Sequence, residues 1–233
     1  MVLPLYLAQT PIEMSGNPLS VNLAYLACHF SPGGRGLSNL PPQLPPGSIL
    51  ILDDSNPMTD HDPELIQNQL CHWLSQRQAE AVLLDFQRPD IPRQLELVKQ
   101  LHGALPCPVA VSELYAQDIC CPVFLSPVPP DRPLAEHLAP WKGREIWLEA
   151  ALDGISLTLT EEDCNIAPLF DFPAAGQADR RLHCHYRVET GEKSATFRLW
   201  RTRQDLEGLL TEAEILGVAK AIGLWQEFGS EFL

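Results

Sequence analysis

Residues 81–86 read Ala-Val-Leu-Leu-Asp-Phe, a nearly unbroken apolar run that is followed by Gln87, Arg88 and Pro89. The run is too short for a typical buried helix, and it lacks the apolar-polar alternation of a half-exposed strand. Strands of a parallel sheet, which are covered on both faces, have this pattern. We therefore expect Ala81–Phe86 to be a buried strand of a parallel sheet or barrel.

Seven further short apolar runs share this pattern, and they are Leu3–Ala8, Asn22–Cys28, Ile49–Asp53, Val109–Ser112, Val123–Ser126, Ile146–Ala150 and Ala221–Trp225. Apolar residues at helical spacing lie in Pro63–Gln78, Pro92–Leu105 and Gln204–Leu216, and Asp62 is placed to cap the first of these segments. Eight buried strands alternating with helices predict an α/β fold, a (β/α)8 barrel of the TIM type.

The predicted barrel is irregular. Ser31–Gly47 is rich in proline and glycine, and the stretches after Val111 and after Val128 lack helical periodicity, so several outer helices should be short or absent. Alternating patterns predict an antiparallel β insertion over residues 154–202, between the seventh strand and the last helix; its strands are Ile155–Thr160, Leu182–Glu189 and Ala195–Arg201. We expect one domain over residues 1–233, with a polar loop of uncertain order over Glu161–Arg180.

Charge and composition exclude several functions. The net charge of -14, without a Lys/Arg cluster, predicts no binding to nucleic acid or to an anionic membrane. Because Met1–Ala8 lacks the pattern of a signal peptide, we expect a cytoplasmic protein. Seven irregularly spaced cysteines predict reduced thiols. His183-Cys184-His185 lacks a third ligand and Gly33-Gly34-Arg35-Gly36 lacks a phosphate-loop lysine, so we expect neither metal nor cofactor. The oligomeric state stays open.

Two stretches carry a family resemblance. Ala79–Gln87 lies where the family 18 glycoside hydrolases, the chitinase-like and spore-peptidoglycan N-acetylglucosaminidase-like barrels, have their fourth-strand motif DxxDxDxE. Asp205–Gln226 resembles the last helix and strand of that family, whose tryptophan floors the sugar subsite and corresponds to Trp225. The resemblance implies a barrel of this family that acts on, or binds, a saccharide.

Departures from the motif imply a degenerate site. Gln87 stands where the resemblance places the general acid, Leu83 replaces the middle carboxylate, Glu80 stands at the first acidic position and Asp85 keeps the last aspartate. The family's tyrosine on the sixth strand is absent from Val123–Ser126. A glutamine amide donates hydrogen bonds but cannot deliver a proton at neutral pH. The resemblance therefore implies a barrel without catalytic activity.

The remaining candidates follow from the barrel itself, because functional residues lie at the carboxyl ends of its strands. Besides Asp85 and Gln87 they are Asp53, Asp54, Glu113, Glu149, Trp225, Gln226 and Glu227. Opposed carboxylates such as Asp85 and Glu149 are suited to acid-base work. A structural role is the alternative for the aspartates after the third strand, because Asp53-Asp54-Ser55-Asn56-Pro57 is typical of a turn in which aspartates cap backbone amides.

Three hypotheses remain. The first is a glycoside-hydrolase-like barrel without activity that binds a saccharide or a protein. The second is an active glycosidase whose carboxylates have moved to Asp85, Glu113 and Glu149. The third is a structural or interaction protein, in which the acidic surface and the inserted sheet make the contacts.

Overall fold

A computed structural model describes residues 3–16, 22–89 and 91–228 of the chain. The described residues form fourteen strands, in chain order β1 (Leu5–Gln9), β2 (Leu23–Phe30), β3 (Leu37–Ser38), β4 (Ile49–Asp53), β5 (Ala81–Asp85), β6 (Val109–Ser112), β7 (Val123–Leu125), β8 (Ile146–Ala150), β9 (Gly154–Thr160), β10 (Cys164–Pro168), β11 (Gln177–Asp179), β12 (Cys184–Thr190), β13 (Ser194–Trp200) and β14 (Lys220–Leu224). Their helices are α1 (Pro11–Gly16), α2 (Pro63–Ser75), α3 (Pro92–Ala104), α4 (Leu134–Leu138), α5 (Arg203–Ile215) and α6 (Trp225–Phe228), and a 3-10 turn spans Ala139–Trp141.

Eight parallel strands close into a barrel, in the order β1-β14-β8-β7-β6-β5-β4-β2, and the pairing of β1 with β2 completes the ring. The short strand β3 adds antiparallel to β2. All eight predicted strands are confirmed, and the prediction of an irregular (β/α)8 TIM-type barrel is confirmed with them. The helix after β7 has only five residues, as expected from the missing periodicity.

Alternate residues of the strands fill the barrel interior, because successive side chains of a strand point to opposite faces. The buried interior residues are Tyr6, Ala8, Ala24, Ile49, Ile51, Ala81, Leu83, Ala110, Phe124, Trp147 and Ile222. The same alternation carries Asp53 and Asp85 to the carboxyl ends of β4 and β5, where the two residues are register partners. The packed interior thus sets which side chains reach the mouth of the barrel.

A second, antiparallel sheet has the strand order β10-β9-β13-β12-β11. It confirms the predicted β insertion, and a tight turn joins β12 to β13, with Gly191 N bonded to Ser194 O. The prediction of an irregular loop over Glu161–Arg180 missed two strands, β10 and β11. Both strands are short and exposed, so they carry little of the apolar periodicity from which strands are predicted.

The chain divides into two compact units. One contains the barrel strands, within residues 4–126, 143–148 and 219–228. The other contains residues 127–142 and 149–218, with the antiparallel sheet and α5. The single domain over residues 1–233 stays a prediction. Within the residues that the structure describes, no helix is long and apolar enough to cross a membrane.

Helix α5 begins with a reciprocal cap. The Thr202 hydroxyl accepts from Asp205 N at 3.3 Å, and Asp205 Oδ2 accepts from Thr202 N at 2.8 Å and from His185 Nδ1 at 2.7 Å. Burial alone would raise the pKa of Asp205, but these hydrogen bonds outweigh it and lower the pKa. The carboxylate is therefore ionised at neutral pH and holds the helix start.

We expect Asp205→Asn to lower the free energy of unfolding by about 1–2 kcal/mol at pH 7. The pKa of Asp205 is depressed in the folded state, so its stabilisation is present above the unfolded-state pKa of about 3.9 and is lost as pH falls through the folded value. Urea unfolding at pH 7 and at pH 3 measures both effects. Glu207→Gln, on the exposed side of α5, is the control; equal losses in the two variants would contradict the cap.

Candidate functional site

The mouth of the barrel brings together Asp85 and Gln87, the last two of the four motif positions. Asp85 ends β5, two residues beyond the interior residue Leu83, and Gln87 follows in the loop towards α3. The Gln87 side-chain amide donates a hydrogen bond from Nε2 to Asp85 Oδ1. Gln87 is exposed, whereas Asp85 is half-buried. An amide and a carboxylate therefore stand side by side at the edge of the mouth.

Asp85 is electrostatically unusual. Burial raises its pKa above that of an ordinary aspartate, and the nearby negative charges of Asp53 and Asp54 raise it further, while the hydrogen bond from Gln87 works in the opposite direction. A raised pKa means that the folded protein resists ionisation of this carboxyl group. Clefts that carry such groups are candidates for function, because perturbed carboxyl groups concentrate at binding and catalytic sites.

Asp54 fixes the backbone that carries Gln87. It is buried, and its carboxylate accepts from the backbone N–H groups of Gln87 and Arg88, each at 3.0 Å. Its Oδ2 also accepts from Gln94 Nε2 at 3.1 Å, and its carbonyl accepts from Arg88 Nε at 2.9 Å. These bonds join the end of β4 to the loop after β5 and to α3. Asp54 is thus a positioning residue for the mouth.

A second layer of hydrogen bonds supports the same loop. The Tyr115 hydroxyl contacts the Arg88 carbonyl and donates to Gln94 Oε1 at 2.7 Å. Ser112 Oγ donates to the Phe86 carbonyl at 2.7 Å. Gln94, Tyr115 and Ser112 are all buried, so these bonds lie out of water. The loop of Gln87 is therefore held from the end of β4 and from the end of β6 with Tyr115, and α3 contributes through the bonds of Gln94 to Asp54 and Tyr115.

Asp53 and Glu113 are engaged locally. Asp53 Oδ1 accepts from Ser55 N at 2.8 Å, which is the aspartate turn that the sequence Asp53–Pro57 favours. Glu113 Oε1 accepts from Ser126 Oγ at 2.5 Å and from Ser126 N at 3.4 Å. Ser126 lies in the segment where the family tyrosine is missing. Ligand-binding roles of Asp53 and Glu113 stay predictions.

Trp225 and Gln226 lie just beyond β14, as the first residues of the short helix α6. Trp225 is half-buried and Gln226 is exposed. The ring of Phe228 packs so closely on Gly223 that a Cβ there would collide with it. The helix α6 therefore turns back over the end of its own strand, β14. Interior packing on β14 comes from Ile222 and Leu224, so Trp225 is the first residue past that packing. Its role as a sugar platform stays a prediction.

Glu149 lies near the end of β8 in the unit that contains the antiparallel sheet, and it is half-buried. Its pairing with Asp85 as an acid-base couple also stays a prediction. Asp53 and Asp85 lie at the carboxyl ends of β4 and β5, whereas Glu80 lies at the amino end of β5.

Glu80, the first acidic position of the motif, belongs to the opposite end of the barrel. It precedes β5, roughly 16 Å from Asp85 along the strand at about 3.3 Å per residue. Tyr6 Oη donates to Glu80 Oε2 at 2.5 Å, and Lys220 Nζ forms an ion pair with Glu80 Oε1. The same ammonium lies 5.3 Å from the Tyr6 ring centroid and 5.4 Å from that of Trp147. Glu80 therefore helps to close the bottom of the barrel.

The histidine pair lies in the unit of the antiparallel sheet and faces α5. His183 Nε2 bonds Glu212 Oε2 at 2.6 Å, and His185 Nδ1 bonds Asp205 Oδ2. Within residues 3–16, 22–89 and 91–228 no group of three or more His, Cys, Asp or Glu side chains could hold a metal ion. His183 links the turn before β12 to α5, and His185 links β12 itself to α5.

Sequence reasoning placed Asp54 in a turn whose aspartates cap backbone amides, and Asp54 does accept from two of them, but Gln94 and Tyr115 were missed. Asp54 was signalled by the two aspartates at the end of a buried apolar run. Gln94 and Tyr115 carry no such signal: each belongs to a separate element, and only the closed ring brings the two to Asp54.

The fold has counterparts among solved structures. The spore cortex-lytic enzyme SleL of Bacillus cereus matches 98% of this chain and 71% of its own, at 10% identity and a TM-score of 0.59. The sporulation-specific glycosylase YdhD of Bacillus subtilis matches 85% of this chain and 88% of its own, at 11% identity and a TM-score of 0.54.

A GH18 chitinase of Cycas revoluta, substituted at two positions, one of them glutamate to glutamine, was solved in complex with (GlcNAc)4. It matches 96% of this chain and 94% of its own, at 11% identity and a TM-score of 0.54. The sequence matches no protein-family model, and no curated protein is similar to it in sequence. At such identities the likeness shows the fold alone: this chain has the barrel fold of the family 18 glycoside hydrolases.

Proposed function

We propose that this chain is a saccharide-binding relative of the family 18 glycoside hydrolases that does not hydrolyse its ligand. The observation that carries the proposal is the hydrogen bond from the Gln87 amide to Asp85 at the barrel mouth, at the position where the motif resemblance places the family's acid. The amide has no proton to deliver at neutral pH, whereas it can still donate a hydrogen bond to a sugar oxygen.

Saccharide binding is supported by the polar groups at the mouth of the barrel. Asp85 and Gln87 offer an acceptor and a donor at the rim, and Asp54 fixes the loop between them and α3. Sugars are recognised by such positioned polar groups together with an apolar surface. The neighbouring chitinase solved with (GlcNAc)4 supports an N-acetylglucosamine oligosaccharide as the ligand class.

Asp85→Asn tests the site. If the Asp85 carboxylate accepts a hydrogen bond from the sugar, its loss should weaken (GlcNAc)4 binding by roughly tenfold, since hydrogen bonds to charged groups are worth about 1.5–3 kcal/mol. Isothermal titration calorimetry measures the affinity, with peptidoglycan fragments as a second ligand series. Glu96→Gln, on the exposed surface of α3, removes one negative charge and should bind like the wild type.

Two results would refute binding at the mouth: no heat with either ligand series at millimolar concentration, or equal affinity in Asp85→Asn and the wild type. We also expect Asp85→Asn to raise the melting temperature at pH 7, because the pKa of Asp85 is raised in the folded state, so ionisation of this carboxyl group destabilises the fold as pH rises above its unfolded-state pKa.

One observation favours the second hypothesis, an active glycosidase with relocated carboxylates. The raised pKa of Asp85 would let it hold a proton closer to neutrality than an ordinary aspartate. Of the other two carboxylates in this hypothesis, Glu149 lies near the end of β8, and Glu113 already accepts two hydrogen bonds from Ser126. Turnover of chitin oligosaccharides by the wild type, abolished in Asp85→Asn, would establish this hypothesis in place of ours.

A further inference from the structure

The antiparallel sheet has one apolar face. Residues that pair directly across antiparallel strands lie on the same face, and the register joins Leu157 to Phe197, Phe197 to Val188 and Ile166 to Leu157. Ile155 and Leu159 continue this face along β9. The opposite face is polar and carries an ion-pair group, in which Glu189 Oε1 lies 3.1 Å from Arg198 Nη1 and 3.5 Å from Arg187 Nε.

The apolar face is open towards the hairpin ends of the sheet. Ile166 is 57% exposed, Val188 42% and Leu159 38%, while Leu157 and Phe197 are half-buried. An antiparallel sheet with one apolar and one polar face normally packs its apolar face against another layer. A contiguous exposed apolar patch of this kind marks an interaction surface.

Charge points to a second copy as the occupant. The chain has a net charge of -14, so two copies repel each other through most of their surfaces. On the apolar face, however, β9, β10, β12 and β13 contribute no charged residue, and the one carboxylate of the face, Asp179, ends β11 beside the arginine turn. Two such faces can therefore meet over β9, β10, β12 and β13 without bringing like charges together.

The corners of the sheet carry opposite charges. The turn between β9 and β10 contains Glu161, Glu162 and Asp163, whereas the turn between β11 and β12 contains Arg180 and Arg181. The strand order and directions put these turns at diagonally opposite corners. When two such faces stack about a diagonal twofold axis, the strands of the two copies cross at near right angles, and each acidic corner lies on the partner's arginine corner. Within one copy Arg181 is 3.3 Å from Glu136, but both side chains are largely exposed. This ion pair therefore competes only weakly with a contact between Arg181 and the partner's acidic corner.

The area of the apolar face indicates a small dimer interface and therefore weak association. Strands spaced by about 4.8 Å with about 3.3 Å per residue give the sheet roughly 450–500 Å² per copy. A dimer would bury about 1,000 Å² in total, near the lower limit for a specific interface. We propose that the apolar face of this sheet is the interface of a twofold homodimer with micromolar affinity.

Sedimentation velocity between about 5 and 300 µM tests the proposal, since a micromolar dissociation constant falls in this range. The wild type should shift from 25.9 kDa towards twice that mass as concentration rises. Ile166→Glu buries a charge in the interface and should weaken association at least about tenfold. Asn165→Glu adds the same charge to the opposite face of the same strand and should leave association near the wild-type value.

The corner contacts have their own test. Arg180→Glu should weaken the dimer roughly threefold, and adding Glu162→Arg in the same chain should restore it, because the two corners meet across the axis. Circular dichroism confirms that each variant is folded; Ile166 is on an exposed edge strand, where a glutamate is tolerated. A wild type that stays at 25.9 kDa to about 300 µM, or a dimer that Ile166→Glu leaves intact, overturns the proposal.

Discussion

Gln87→Glu is expected to raise the hydrolysis of chitin oligosaccharides by about a hundredfold or more over the wild type. The substitution returns a proton donor to the position that the family motif assigns to the general acid. The backbone at this position needs no change, because Asp54 holds the N–H groups of Gln87 and Arg88 whatever side chain residue 87 carries. Release of reducing ends from (GlcNAc)4 and longer oligomers measures the effect.

The local charges favour a protonated glutamate. Gln87 donates to Asp85, whose own pKa is raised by burial and by Asp53 and Asp54. A glutamate in place of Gln87 would add another carboxyl group to this cluster, and like charges disfavour a further ionisation. Its pKa should therefore lie above that of a free glutamate, so the activity of the variant should fall as pH rises through that raised value.

Gln78→Glu is a matched control, because it makes the same chemical change at an exposed residue between α2 and β5, ahead of the amino end of β5. It should leave activity unchanged. Leu83 limits the gain from Gln87→Glu: it is fully buried in the barrel interior, so the middle carboxylate of the motif stays absent. Wild-type turnover equal to that of Gln87→Glu would show that residue 87 is not the missing acid.

The barrel could be predicted because each of its strands is buried on both faces. Ile49–Asp53, Val109–Ser112 and Ile146–Ala150 begin and end where their apolar runs do, since a continuous run has sharp limits. The strands β10 and β11 could not be found in this way. Their residues are mostly exposed, and what makes them strands is backbone pairing with the neighbouring strands β9 and β12 rather than an apolar pattern of their own.

The candidate site was predictable only in part. Alternation along β5 is enough to place Asp85 and Gln87 near the mouth, because Ala81 and Leu83 are interior residues on the same strand. The network behind them depends on closure of the ring. Gln94 lies on α3 and Tyr115 lies after β6, and nothing in either local sequence indicates that Gln94 bonds Asp54 or that Tyr115 bonds the Arg88 carbonyl.

Asp54→Ala should cause a large loss of stability, about 3–5 kcal/mol. The substitution removes one buried carboxylate and leaves the backbone N–H groups of Gln87 and Arg88 and the Gln94 amide without their acceptor. Gln94 is fully buried, so water cannot replace the lost bond without opening the loop. For a chain of this size the loss corresponds to a fall in melting temperature of about 10 °C.

Asp60→Ala separates this effect from the loss of one negative charge, because Asp60 is an exposed aspartate in the same β4–α2 connection. It should unfold within about 0.5 kcal/mol of the wild type. Asp54→Asn keeps the shape and one acceptor oxygen, so its loss should lie between those of the two alanine variants. If Asp54 positions Gln87, then Asp54→Asn should also weaken (GlcNAc)4 binding at temperatures where it is fully folded. A folded Asp54→Asn with wild-type affinity would make Asp54 a purely structural residue and leave the loop of Gln87 held by Ser112 and Tyr115.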